Sequence, residues 1–255
     1  VLPTTSDTSY ITACDSVVWN GTTYDSSGTY SYGGSGGASN NYSINFDGID
    51  DYIDLGQNLF TSNTGTLMAW VKISTGTSSN TPGYININPI FSQTQTGSNL
   101  NHIRFTISRN NQFPSDSLMF VPDFRACGNA PHCRPSAPQN YQQWTHVAVQ
   151  SDGNTWKFFV DGVEYNYSSN ISGSGQWFND QCNAVVKDFI GRWKRISNDE
   201  FFNGNIDDFQ VWNTVLSLQE IQQYMNCPPT GNETGLVGYW NFEEGPGSPV
   251  VLDQT

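Results

Sequence analysis

Charge is scarce in this chain, and positive charge is scarcest. Ten Lys plus Arg face 23 Asp plus Glu, and the four types together make up 13% of 255 residues. A net charge of −13 argues against nucleic acid or an anionic membrane surface as partner, and suits cations or neutral ligands. No apolar run reaches the ~18 residues that a membrane-spanning helix needs, so membrane insertion is not expected. The chain opens without a secretory leader, so an exported protein would be met here as a mature or excised piece. His102, His132 and His146 stand far apart, and the sequence holds no nucleophile elbow, P-loop or dinucleotide fingerprint.

What is abundant is Gly, Ser, Thr and Asn, set around 14% aromatic residues. That mixture is typical of an exported β-protein with long polar loops. The length permits one large all-β domain with appendages, or two smaller domains, and such a chain buries about 70–75% of its surface on folding. Of five cysteines, Cys127 and Cys133 flank a turn-rich Gly-Asn-Ala-Pro-His loop, and a short-range disulfide is expected between them. A zinc reading would add His132, but the spacing lacks a four-ligand pattern. Cys14, Cys182 and Cys227 have no assigned partner.

Residues 1–32 read as a small β unit, in which Val17-Val18-Trp19 and Thr22-Thr23-Tyr24 flank an Asn20-Gly21 turn. Residues 33–41 are a Gly/Ser linker. From residue 42 onward strands follow one another. Leu67, Ala69, Val71 and Ile73 alternate with Met68, Trp70 and Lys72; Thr145, Val147 and Val149 alternate with Trp144, His146 and Ala148. Apolar residues on both faces predict strands covered on both sides, and His146 inside its strand reads as a packing residue. Asp161-Gly162 predicts a hairpin. Ser217-Leu218-Gln219-Glu220 is a capping box that opens one helix, ended by Cys227-Pro228-Pro229. Many strands and one short helix predict an all-β, two-sheet antiparallel jelly-roll sandwich.

Five ordered motifs give this prediction a family. They are Phe46-Asp47-Gly48-x-Asp50-Asp51-Tyr52-Ile53, Met68-Ala69-Trp70-Val71-Lys72, Trp144-Thr145-His146-Val147-Ala148, Phe159-Val160-Asp161-Gly162 and Gly204-x-Ile206-Asp207-Asp208-Phe209-x-Val211-Trp212-Asn213. With the Leu216-Ser217-x-x-Glu220-Ile221 helix after them, residues 42 to about 227 resemble the laminin-G-like branch of the concanavalin-A-like jelly rolls. Residues 42–255 are assigned to this domain, although Gly235–Glu244 also resembles the opening strand of such domains or of a following copy. The unit at 1–32 resembles Cys-Asp-Ser…Trp-Asn-Gly-Thr-Thr-Tyr repeats of Bacteroidetes surface proteins.

The resemblance implies a calcium ion at a sheet edge or rim, for which Asp47, Asp50, Asp207 and Asp208 are the candidates, because calcium takes six to eight oxygen ligands. The plainer role for Asp47 is to cap the Asp-Gly turn. From the residues themselves, the loop aromatics Tyr141, Trp177 and Trp193, with Arg192 beside the last, are candidates to stack on a sugar and read its hydroxyls. No residue is assigned to catalysis: glycanases of this fold carry alternating carboxylates about 5 Å apart, and no Glu-x-Asp occurs here. The expected function is therefore non-catalytic, calcium-supported binding of a glycan or glycosylated surface. The setting would be a large secreted or cell-surface protein, whose other domains are further partners. A spacer domain without a ligand is the alternative reading, and a glycan-degrading enzyme a more distant one.

Overall fold

A computed structural model describes residues 42–56, 59–74, 84–95, 101–110, 113–124, 142–165, 177–178, 186–195 and 198–255, with two short strands at 17–19 and 22–24. Cys14, Cys127, Cys133, Tyr141, Cys182 and the 33–41 linker lie outside the described residues. In chain order the strands are β1 (Val17–Trp19), β2 (Thr22–Tyr24), β3 (Ile44–Asp47), β4 (Ile53–Gly56), β5 (Gly65–Ile73), β6 (Tyr84–Gln95), β7 (Asn101–Asn110) and β8 (Phe113–Phe124). They continue as β9 (Thr145–Ser151), β10 (Trp156–Val160), β11 (Val163–Tyr165), β12 (Val186–Ile190), β13 (Arg192–Trp193), β14 (Glu200–Phe201), β15 (Asn203–Trp212) and, after helix α1 (Leu218–Asn226), β16 (Leu236–Trp240).

The strands form two antiparallel sheets that face each other, as the periodicity predicts. One has seven strands in the order β11-β10-β9-β5-β15-β16, with β3 also on β15; the other has five, β4-β12-β6-β7-β8. β15 is long enough to serve two partners on one edge: residues 203–206 pair with β3, and residues 209–212 with β16. Between the sheets Leu67, Val71, Val147, Phe158, Ile206 and Phe209 meet Ile90, Phe91, Ile103, Phe105 and Ile190 in one apolar core. β1 and β2 pair with each other, Trp19 opposite Thr22.

The helix explains why β5 and β9 are apolar on both faces. Met68, Ala148, Phe159 and Trp212 point away from the main core and are covered by Leu216 and Ile221, with Tyr224 and Leu236 at the margin. α1 starts at the expected capping box, with Ser217 Oγ accepting from the Glu220 amide at 3.2 Å and Glu220 Oε2 from the Ser217 amide at 2.7 Å. It is tied to the sheet by Trp70 Nε1, which donates to Met225 O at 3.1 Å.

The segment after the helix returns to the seven-stranded sheet. β16 pairs with β15, Tyr239 N donates to Asp253 Oδ1 at 3.0 Å, and Gln254 N returns to Tyr239 O at 2.8 Å. Cys227 carries a free thiol, its pKa raised by burial.

Candidate functional site

The four candidate metal ligands fall into two separate groups. Asp47 and Asp50 come together with Asp51 on the exposed turn between β3 and β4, their carboxylate oxygens within 4.8 Å of one another. The turn is built by the aspartates themselves. Asp47 Oδ1 accepts from the amides of Ile49 (2.7 Å) and Asp50 (3.3 Å), and Asp51 Oδ2 from the Asp47 amide at 3.0 Å. Asp207 and Asp208 do not join them. Asn203 is the residue opposite Asp47, so Asp207 lies roughly 13 Å further along β15 at ~3.3 Å per residue.

Asp207 and Asp208 are 1% and 3% exposed and sit in a bulge between β15 and β5, where Asp208 has φ +45°. Asp207 Oδ1 accepts from the Asp208 amide at 2.8 Å, and Asp208 Oδ1 from the Tyr239 hydroxyl at 2.7 Å. Burial, followed by the charge and hydrogen bond of Asp208, pushes the Tyr239 pKa far up, so the phenol stays a donor.

The structure also redistributes the aromatic candidates. Trp177 is fully buried, packed edge-on to Phe60 (6.1 Å) and Phe178 (4.9 Å), and is a core residue rather than a platform for sugar. Trp193 is 5% exposed because two guanidinium groups lie over its ring, Arg104 at 3.8 Å and Arg195 at 4.7 Å. Neither ring offers an open face. Both side chains turn inward, Trp177 against phenyl rings and Trp193 against two guanidinium groups.

Arg192 is where an exposed site does form. On the outer face of the five-stranded sheet one row of partners crosses four strands: Asp54, Phe189, Ser92 and Arg104. The neighbouring row of Ile190, Phe91 and Phe105 faces the core. The β13–β14 hairpin lies across this outer face, held where Ser92 Oγ donates to Arg192 O at 2.6 Å and Gly191 N to Ile90 O at 3.1 Å. Gly191 makes the close approach possible: its φ is +78°, and a Cβ there would stand 2.4 Å from the Phe46 ring.

The hairpin places the Arg192 guanidinium 4.1 Å from the Tyr52 ring centre, within reach of Phe189 and Phe201. Tyr52 also meets Phe189 edge-on at 5.8 Å, and still remains 44% exposed. Arg192 and Lys194 both bind Asp199, through Nε at 3.0 Å and Nη2 for the arginine and at 3.2 Å for the lysine. Lys187 pairs with Asp54 at 2.8 Å on the sheet edge. A guanidinium backing one side of a partly open phenol ring, among polar and cationic neighbours, can stack on one sugar face and bond its oxygens.

A model of the concanavalin A-like lectin/glucanases superfamily (Laminin_G_3) matches residues 47–222, more than half of the chain. The chain belongs to this superfamily. Among solved structures, this superfamily member is similar to a protein from Bacteroides ovatus provisionally assigned as carbohydrate-binding, with TM-score 0.60 and 20% identity over 83% of this chain and 54% of that one. It thus spans about half the length of that protein. It is also similar to the Ruminococcus gnavus IT-sialidase CBM40 bound to alpha2,3 sialyllactose (TM-score 0.56, 15% identity, 71% and 94% of the two chains). A third likeness is to the heptameric SAP-like pentraxin of Limulus polyphemus (TM-score 0.54, 15% identity, 83% and 90%). At these identities the likeness establishes the fold and leaves the ligand open. No curated protein sequence matches the chain.

A depression opens elsewhere on this superfamily member, between the start of α1 and β9–β11. Its volume is about 370 Å³, and Gln150, Asp152, Lys157, Glu164 and Glu220 line it. Its carboxylates are engaged locally. The amides of Thr155 and Asn154 hold Asp152 below the usual range, Glu220 caps the helix, and Glu164 lies 3.6 Å from Lys157.

Tyr52 and Phe201, and the buried Arg104 under Trp193, escape a reading of sequence alone. The one signal was Arg104, a cation between Ile103 and Phe105 in an alternating strand, whose opposite face had to meet something able to accept it. Among the described residues no helix is long and apolar enough to cross a membrane.

Proposed function

We propose that this domain is a non-catalytic, calcium-supported carbohydrate-binding module of a larger extracellular protein, taking sugar on the outer face of its five-stranded sheet at Tyr52, Phe201 and Arg192. The observation that supports this reading most is the half-open Tyr52 ring, backed by the Arg192 guanidinium and braced by Phe189. The family adds that its fold accommodates lectins, and two of the similar solved structures are named for carbohydrate binding. Residues 1–32 would be a separate unit of the same long chain, and the other domains of that chain its neighbours.

Calorimetric titration against a glycan panel, run beside a reducing-sugar assay, tests the reading. Tyr52→Ala should weaken binding by about 1–3 kcal/mol with little change in melting temperature, since it removes an exposed stacking ring. A spacer domain would show no binding to lose, and a glycanase would release reducing ends; either result replaces the proposal.

Calcium belongs to the same proposal. Asp47, Asp50 and Asp51 fit a hard cation, offering only oxygen donors on a turn that fixes their positions. Bound there, calcium would screen three adjacent like charges and hold the β3–β4 turn that leads into Tyr52. Chelation should lower the melting temperature, because an ion bound only to the folded state adds stability with its concentration. Asp50→Asn with Asp51→Asn should remove that response, and a response persisting in the double variant would move the site elsewhere, with Asp207 and Asp208 the next to change.

A further inference from the structure

The depression beside the start of α1 is shaped by strand register and by one threonine. On the outer face of the seven-stranded sheet Gln150 lies between Lys157 of β10 and Thr66 of β5, and Phe159 in the next row lies opposite Glu164 of β11. Thr66 Oγ1 donates to Thr214 O at 2.9 Å and accepts from the Leu216 amide at 3.1 Å, which pins the chain entering the helix against this face. Ile221 of α1 then covers Met68 and Ala148, and a space of about 370 Å³ stays open at the helix start. Sites for small molecules commonly measure about 300–1,000 Å³.

The lining joins three kinds of surface. Gln150 is 4% exposed, and its side-chain oxygen has no hydrogen-bond partner among the described residues. An unmet polar group in a buried position is costly, and a ligand that bonds it removes that cost. The amide turns about its last bond, so it can present its oxygen or its nitrogen to the opening. Val215 and Leu218 are 39% and 44% exposed beside the buried Phe159 and Leu216, so the wall is apolar and has no ring open for a sugar to stack on. The third surface is charge. Asp152, Glu164 and Glu220 stand with a single cation, Lys157, whose pair with Glu164 is long at 3.6 Å and half-exposed at both ends. A helix start favours negative charge, and Ser217 and Glu220 already meet that demand through the capping box. Glu220 does so with Oε2, and its other oxygen makes no hydrogen bond among the described residues.

We infer that this depression is a second binding site, for an organic cation that carries its ammonium or guanidinium group on a hydrocarbon stem. The stem lies along Val215, Leu216 and Leu218, and the charged group donates to the Gln150 amide and to the carboxylates of Glu164 and Glu220. A free amine and a basic side chain of a peptide both offer this chemistry. The site belongs to the seven-stranded sheet and does not depend on the sugar-binding reading.

Heteronuclear NMR of the full chain tests this, following the side-chain amide of Gln150 during titration with hexylammonium, hexanol, hexanoate and methylammonium. Hexylammonium should give a saturating shift and bind at least about tenfold more tightly than the other three, since it alone joins stem and positive charge. Lys157→Gln removes the competing cation and should tighten hexylammonium several-fold, a gain that a purely structural role for these residues would not produce. Glu164→Gln with Glu220→Gln, where glutamine keeps the capping box, should abolish the preference for hexylammonium over hexanol. Tighter binding of an end-blocked tripeptide with a central arginine would assign the cation to a protein side chain, and weaker binding to a free amine. Equal binding of hexanol, or tighter binding of hexanoate, overturns the cationic assignment. A preference that survives the double glutamate variant overturns the role of those carboxylates. No saturating shift at Gln150, in the native chain or in Lys157→Gln, overturns the site.

Discussion

Replacing His146 by Phe and Asp188 by Asn should tilt the pH dependence of stability in opposite directions. His146 is buried beside Trp70, 5.4 Å edge-to-face, and burial lowers its pKa to about 3. The unfolded chain, with an ordinary value near 6.5, therefore takes up a proton first. Stability linked to His146 is intact above about pH 6.5 and falls by ~1.4 kcal/mol for each pH unit below it. Asp188 works the other way. Burial raises its pKa to about 6, despite hydrogen bonds from the Leu59 amide (2.8 Å) and Gln93 Nε2 (2.9 Å), so between about pH 4 and 6 the folded state holds the extra proton. Its burden is fully present above pH 6 and is relieved as pH falls.

The two slopes cancel in the native protein between about pH 6 and 5, so its stability should change little there. Asp188→Asn exposes the histidine slope. Whatever it costs at one pH, since an amide cannot accept from both Leu59 N and Gln93 Nε2, it should lose about 2 kcal/mol of stability between pH 7 and 5. His146→Phe keeps the ring contact with Trp70 and removes two buried nitrogens that have no partner among the described residues. It should become more stable, by about 1–1.5 kcal/mol, between pH 6 and 5. Urea unfolding at half-unit pH steps reads both, and parallel profiles in the three proteins would refute the assignment.

Trp177→Ala should be the most damaging of the aromatic truncations, at about 3–5 kcal/mol, the cost of a large cavity in a packed core. The indole touches Phe60 and Phe178, which themselves stack at 4.1 Å, and its Nε1 stands where a Cβ on Gly65 would come within 2.6 Å. No neighbour has room to collapse without moving strand β5. The expected result is a large drop in the urea midpoint, with glycan affinity unchanged under conditions where the variant remains folded. A variant of normal stability that had lost glycan binding would restore Trp177 to the ligand site.

Much of the architecture was legible in the sequence because it is carried by local pattern. Alternation in 67–73 and 145–149 specifies strands whatever lies on either side, Asp161-Gly162 specifies its hairpin, and Ser217 with Glu220 specifies the start of α1 through bonds made within one turn. The family match follows from those same motifs, since they encode backbone geometry that the fold requires. The turn at Asp47 was legible for the same reason: its carboxylate bonds amides two and three residues on.

Which aromatic rings meet solvent was not legible, because exposure depends on what another part of the chain lays over a residue. Trp177 and Tyr52 both follow polar stretches, yet one fills the core and the other stands open. The separation of Asp207 from Asp47 is likewise a matter of register between β3 and β15, which neither motif contains. The candidate site itself brings Tyr52, from the turn before β4, against Arg192 and Phe201 of the β13–β14 hairpin, about 140 residues away in the chain. Sequence determined the strands, their turns and the excess of acid; only the tertiary structure decided which rings stand open and which aspartates meet, because exposure and register are set by long-range packing and not by neighbours in the chain.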